Sequence, residues 1–282
     1  MHLRIHKLPH SLKIFRQKVR YFPAWVNIAK RSANIIALLI CLFFCNLHAM
    51  SYFSETLDDL LGLFYPQLCI TCGERLISQE KFICMKCWFD LPVSRFENND
   101  ENKVAQLFWG RVQVEHATSW FHYRKGSRYQ KLIHAIKYKG LKELGLEAGR
   151  RFGDVLAEAD HFKHVDVIIP VPLHPKKQKK RGFNQSEWIA RGISESAEIP
   201  LNLNNLHRKI FTSTQTRKSR FERWQNVEGI FGVKNPDEYK NRHILLVDDV
   251  ITTGSTLEAC AYEILKIQNA KVSIATLAFA DF

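Results

Sequence analysis

The segment that most restricts the fold is Ile244-Leu-Leu-Val-Asp248-Asp249-Val-Ile-Thr252-Thr253-Gly254-Ser255-Thr256. Four consecutive apolar residues suit a strand buried on both faces. They deliver two adjacent carboxylates to a sheet edge, and a turn of small residues then opens a helix. Leu257, Cys260, Ala261, Ile264 and Leu265 continue that helix on one apolar face, which makes Cys260 a core side chain. At such a turn the backbone N–H groups point outward, the helix dipole favours an anion, and the hydroxyls of Thr252, Thr253, Ser255 and Thr256 add donors. Gly254 lets the backbone come close to the anion. The carboxylates cannot serve a phosphate, so they suit sugar hydroxyls or a hydrated Mg²⁺. A phosphate cradle beside a diol-binding acid pair describes a site for a ribose 5-phosphate.

The same strand–loop–helix texture runs through the second half of the chain. Strands are predicted at Ala117–Tyr123, Val165–Val171, His243–Val247 and Val272–Phe279. Helices are predicted at Tyr129–Tyr138, Leu144–Ala159, Gln185–Ser196 and Thr256–Gln268. This alternation implies an α/β fold, a mostly parallel sheet flanked by helices, with ligands at the carboxyl ends of its strands.

A second constraint comes from cysteine spacing. Cys69-Ile-Thr-Cys72 and Cys84-Met-Lys-Cys87 are two C-x2-C pairs separated by 11 residues. Each pair turns two thiolates to one side of a tight knuckle, and two knuckles close a tetrahedron around zinc. Gly73 suits a knuckle position that needs positive φ. Two disulfides are the alternative use of these cysteines, in an oxidising compartment. Four Cys ligands leave no open position, which makes the zinc a fold staple. The polar stretch from Arg95 to Lys103 marks a boundary, giving a zinc-binding module at 50–97, a linker at 98–104 and an α/β domain at 105–282.

Charge is concentrated at the amino end. Residues 1–49 carry eight basic and no acidic side chains, which leaves the other residues with only +5 of the total +13. The global charge therefore does not argue for a polyanion-coating protein. An apolar run of 11 residues, Ile35–Cys45, follows that basic stretch. A membrane span needs roughly 20 residues, so no stable span is expected. Residues 1–49 read either as a leader or anchor or as a start placed too far upstream, with Cys41 and Cys45 incidental to the run. Met50 then begins an amphipathic helix at residues 51–64 with Ser54 as its cap.

Val247–Thr256 resembles the phosphoribosyl pyrophosphate (PRPP) loop of type I phosphoribosyltransferases. From about Met50 the chain is similar to the ComF/GntX family, which joins a four-cysteine zinc module to a phosphoribosyltransferase domain. Leu132–Gly140, Val171–Gln185 and Gln215–Phe231 also match that family in order. The resemblance implies that Asp248 and Asp249 bind ribose hydroxyls, with Mg²⁺ accompanying PRPP, while Thr252, Thr253, Gly254, Ser255 and Thr256 cradle the 5-phosphate. It makes Pro172, Leu173, His174, Pro175 and Lys176 the pyrophosphate loop, with Lys177, Lys179, Lys180 and Arg181 adding positive charge. A solvated basic loop is the bland reading of that run. The implied role is DNA uptake or utilisation during competence, in the cytoplasm, with single-stranded DNA and a competence helicase or uptake machinery as partners.

The basic segment Arg208–Asn226 admits three readings. It closes over PRPP; or Arg217, Arg220, Arg223 and Trp224 bind single-stranded nucleic acid by charge and stacking; or its aromatics face the core. A working transferase and a catalytically silent DNA-binding scaffold are the two functions to separate.

Overall fold

Alternation along one strand builds two cores. On the strand at His243–Ile251, Leu245 and Val247 join one apolar cluster, while Ile244 and Leu246 join the other. All four are completely buried, and a buried aliphatic side chain contributes about 1.5–3 kcal/mol. A strand apolar on both faces must lie inside a sheet covered on both sides.

The computed structural model describes residues 66–209 and 229–280. The readings at 1–49, at 51–64 and at Arg217, Arg220, Arg223 and Trp224 lie outside the described residues. In chain order the elements are α1 (Met85–Phe89), α2 (Lys103–Gln106), β1 (Ala117–Tyr123), α3 (Gln130–Tyr138), α4 (Lys142–Glu158), β2 (Val167–Pro170), α5 (Pro175–Arg181), α6 (Gln185–Ala197), β3 (Leu206–Arg208), β4 (Phe231–Val233), β5 (His243–Ile251), α7 (Ser255–Leu265) and β6 (Lys271–Ala280). The main sheet has the order β1-β6-β5-β2, and every pairing in it is parallel. α3, α4 and α6 pack on one face, and α2 and α7 pack on the other. This is the expected α/β fold with helices on both faces. β3 and β4 form a separate antiparallel pair that the strand pattern did not reveal, because three residues carry too little periodicity.

α4 and α6 meet backbone to backbone. A Cβ on Gly192 would lie 2.2 Å from the Leu146 carbonyl oxygen and 2.6 Å from the Arg150 nitrogen. A Cβ on Gly149 would lie 2.3 Å from the Ile189 carbonyl oxygen. Only glycine permits this approach, and it sets where the first turn of α6 stands over the sheet.

The structure alters two local expectations. The basic run after His174 is helical: Pro175 occupies the first turn of α5, and His174 Nδ1 accepts from the Lys176 N–H at 3.2 Å. Lys179, Lys180 and Arg181 fall in the last turn, where the helix dipole favours cations. β5 also continues past Val247, so the two acids sit on the strand, with Asp248 opposite Thr276 of β6.

The stretch joining the cysteine segment to β1 is fastened by Asn102. Its Oδ1 caps α2 by accepting from Val104 and Ala105 N–H, and its Nδ2 donates to the Ala117 carbonyl at 2.8 Å. The described residues from Gln67 onward form one compact unit. No helix among the described residues is long and apolar enough to cross a membrane.

Candidate functional site

β5 carries Asp248 and Asp249 to the carboxyl edge of the sheet. Ser186, in the first turn of α6, donates to Asp248 Oδ1 at 2.7 Å, and the Asp249 N–H donates to the same oxygen at 2.8 Å. Asp249 is buried, with Lys137 Nζ of α3 3.1 Å from its Oδ1. Burial, with the Asp249 charge beside it, pushes the Asp248 carboxyl up to about 7. Three elements thus converge on the acid pair.

The turn beyond β5 is shaped as its residues require. Gly254 takes φ +75 and precedes the first residue of α7, and the Glu258 N–H donates back to its carbonyl at 2.8 Å. Thr252, Thr253, Ser255 and Thr256 are exposed around it, and the Thr253 and Ser255 hydroxyls lie 3.1 Å apart. A Cβ on Gly254 would press on the Phe108 ring at 3.2 Å. This is an open ring of hydroxyl and N–H donors at a helix start, suited to an oxyanion.

A brace holds that turn from below. Arg111 Nη1 donates to the Thr253 carbonyl and to the Leu107 carbonyl, each at 2.9 Å. Its Nη2 pairs with the Glu258 carboxylate. Sequence reasoning missed Arg111, Lys137 and Ser186 as site residues. Lys137 and Ser186 had a partial signal, since Lys137 lies in one family-like stretch and Ser186 directly follows another. Arg111 had none.

The expected pyrophosphate loop leaves the sheet beside the acids, because the Val171 N–H donates to the Val247 carbonyl at 2.8 Å. Pro172, Leu173 and His174 form this exit, and Pro175 and Lys176 begin α5. Lys176, Lys177, Lys179 and Lys180 are exposed. Arg181 turns back instead: its Nη1 donates to Gln185 Oε1 at 2.7 Å, and its guanidinium stacks over the Tyr138 ring at 5.1 Å. Buried Asn184 ties this loop down through a 3.0 Å bond to the Val171 carbonyl.

The four cysteines converge as well. One sulfur from each of Cys69, Cys72, Cys84 and Cys87 lies within 4.8 Å of the others, and no disulfide joins them. The Cys72 and Cys84 sulfurs are 3.7 Å apart. Tetrahedral zinc with Zn–S near 2.3 Å requires roughly 3.8 Å between sulfurs, so the spacing fits the metal. Gly73 takes φ +85, as a knuckle needs. Burial opposes ionisation of Cys69, but backbone N–H groups of Cys72, Cys84 and Thr71 outweigh it and bring the thiol down to about 6. Burial, together with the other sulfurs, pushes Cys87 well up. A divalent cation among them would stabilise all four as thiolates. Cys260 is buried on α7, as its helical spacing predicts.

A parallel sheet clothed by helices, with adjacent acids and an oxyanion turn at one carboxyl edge, defines a phosphoribosyltransferase domain. Residues 159–281 match the phosphoribosyl transferase domain family. The chain is 38% identical over 121 residues to Competence protein F of Haemophilus influenzae, covering 42% of this chain and 52% of that protein. It is 31% identical to Competence protein ComFC of Bacillus subtilis, covering 55% of this chain and 61% of that one. It is 27% identical to DNA utilization protein YhgH of Salmonella typhimurium, covering 76% of this chain and 91% of that one. The chain thus spans about half the length of the Haemophilus relative. It is thus similar to competence and DNA-utilisation proteins, with a phosphoribosyl transferase domain match over residues 159–281.

Proposed function

We propose that the carboxyl-edge site binds PRPP or a related ribose 5-phosphate together with Mg²⁺, and that the chain serves DNA uptake or utilisation in the cytoplasm. One observation carries this reading: the acid pair at the end of β5 is followed, two residues later, by an exposed hydroxyl turn with Gly254 at φ +75 opening α7. Asp248 and Asp249 would hold the ribose hydroxyls and the hydrated cation, and residues 252–256 the 5-phosphate. Lys137, 3.1 Å from Asp249 Oδ1, would share that carboxylate with the ribose hydroxyls. The exit at Pro172–Lys176 would meet the pyrophosphate, with the cations of α5 beside it. Phosphoribosyl transfer is the chemistry such a site serves. It needs leaving-group stabilisation and exclusion of water more than a strong base. Zinc in the four-cysteine cluster would staple the fold and requires a reducing compartment.

The test is calorimetric titration of the full chain with PRPP and Mg²⁺, followed by pyrophosphate release across bases, glutamine and ammonia. Saturable PRPP binding lost in Asp248→Asn/Asp249→Asn supports the pocket. No affinity for PRPP or any ribose 5-phosphate overturns it. The competing scaffold reading draws on the four exposed lysines of α5. It expects single-stranded DNA binding that follows Arg217, Arg220, Arg223 and Trp224, weakens steeply with salt and ignores the Asp changes.

A further inference from the structure

The opposite edge of the sheet carries a second constellation. Asp100 lies in the turn before α2, His116 directly precedes β1, and His161 sits in the single helical turn Asp160–Phe162 that follows α4. Strands of a parallel sheet start at one edge and the covering helices return there, which brings the His116 and His161 segments together. His116 Nδ1 is 2.8 Å from Asp100 Oδ1, and His161 Nδ1 is 3.4 Å from the same oxygen. The two imidazoles stack with centroids 4.1 Å apart and planes 12° apart. One ligand atom from each residue lies within 4.8 Å of the other two.

Both rings stand on fixed backbone. The His116 N–H donates to Ser273 Oγ at 3.2 Å, and the His116 carbonyl accepts from the Ile274 N–H at 2.8 Å. His161 is held by its neighbour Phe162, which is buried in the core. Asp100 is the adaptable member, its side chain 62% exposed against 24% for each histidine. A metal bound to imidazole and carboxylate at about 2.0–2.2 Å holds its ligand atoms roughly 3.3 Å apart in a tetrahedron. The separations of 2.8 and 3.4 Å lie on either side of that value. The two parallel rings direct Nδ1 at the same carboxylate oxygen.

We infer that Asp100, His116 and His161 form a second metal site, for a borderline divalent ion such as Zn²⁺, Ni²⁺ or Cu²⁺. Two imidazoles and one carboxylate suit these ions, whereas Mg²⁺ and Ca²⁺ prefer all-oxygen sets. The site is separate from the cysteine cluster, whose donors are sulfur, and from the acid pair at the far edge. Three protein ligands leave a coordination position open. A cavity of about 430 Å³ lies beside the cluster, lined by Asp100, His116 and Trp109.

The test titrates the full chain, its cysteine cluster first saturated with zinc, using Ni²⁺ by calorimetry and Co²⁺ by absorption. One further equivalent should bind, with weak ligand-field bands and no sulfur-to-metal charge-transfer absorption. His161→Gln and Asp100→Asn should each weaken it by about a hundredfold while the zinc content holds. Asp100→Asn alters an exposed side chain and carries the test should His161→Gln fail to fold. Equal affinity in wild type and Asp100→Asn overturns the site, as does no saturable binding beyond the cysteine cluster. So does a Co²⁺ spectrum dominated by thiolate charge transfer.

Discussion

Lys137 Nζ lies 3.1 Å from Asp249 Oδ1, a contact between α3 and β5 with side-chain exposures of 21% and 11%. The pair brings a cation to a place where two adjacent carboxylates, one of them buried, would otherwise repel each other. Its neighbour bond, Ser186 to Asp248, does the same from α6 with a hydroxyl.

Lys137→Met should therefore destabilise the fold by about 1–3 kcal/mol, because it leaves a buried charge without its partner. Asp249→Asn in the same chain should restore part of that loss, and urea unfolding of the full cycle reads the coupling. Additive losses in the two single variants would show that the ion pair contributes nothing.

Asp248 makes stability depend on pH in a defined direction. Burial and the Asp249 charge hold its carboxyl at about 7, while an unfolded Asp ionises near about 3.9. The native state therefore takes up this proton first as pH falls. Its contribution to stability is full below about pH 4 and is lost as pH rises to about 7. Asp248→Asn removes the dependence, so its melting temperature should gain on wild type between about pH 4 and about pH 7. Parallel curves over that range would count against the raised carboxyl.

The α4–α6 contact gives opposite outcomes for two glycines. Gly192→Ala places a methyl 2.2 Å from the Leu146 carbonyl oxygen and should cost about 2–3 kcal/mol or prevent folding. Gly145→Ala meets nothing nearer than Trp188 Cβ at 3.4 Å, and the helix gains up to about 1 kcal/mol from alanine. Denaturant midpoints of the two variants should move apart. Similar midpoints would mean that the helices slide apart freely.

Arg111 should act on ligand affinity without touching ligand. Arg111→Ala removes the bonds that brace the Thr253 carbonyl and the Glu258 carboxylate. PRPP affinity should fall by about tenfold, matching roughly 1.4 kcal/mol of lost turn order, with little change in melting temperature. Unchanged affinity would remove the brace from the account of the site.

The four-cysteine cluster is built into the main core. Tyr129 Oη donates to the Cys87 carbonyl at 3.2 Å, and Trp88 stacks with Trp120 of β1 at 5.9 Å between centroids. Cys87→Ser should abolish binding of about one zinc per chain and lower the melting temperature, since structural zinc contributes folding free energy. Trp fluorescence should change in the same variant. Wild-type protein that carries no metal when freshly reduced would defeat the zinc assignment.

The amino-acid sequence by itself determined the α/β class, the placing of β1, the presence of α3, α4, α6 and α7, and the acid pair with its turn. These are local properties: apolar period, consecutive small residues, and adjacent charges at a strand end. The two C-x2-C knuckles are local as well, and their convergence followed from spacing. Only tertiary structure decided which groups answer the acids. Lys137 and Ser186 stand far from Asp248 in the chain, and no periodicity links residues that meet across a sheet edge. The same holds for Arg111 beneath Thr253 and for the meeting of Asp100, His116 and His161. The α5 helix emerged only in the structure because its run of lysines carries no apolar face for a sequence pattern to detect. The strand through Asp248 and Asp249 runs past the acids because β6 offers it backbone partners up to Phe279, and a charged pair gives no sign of that ladder.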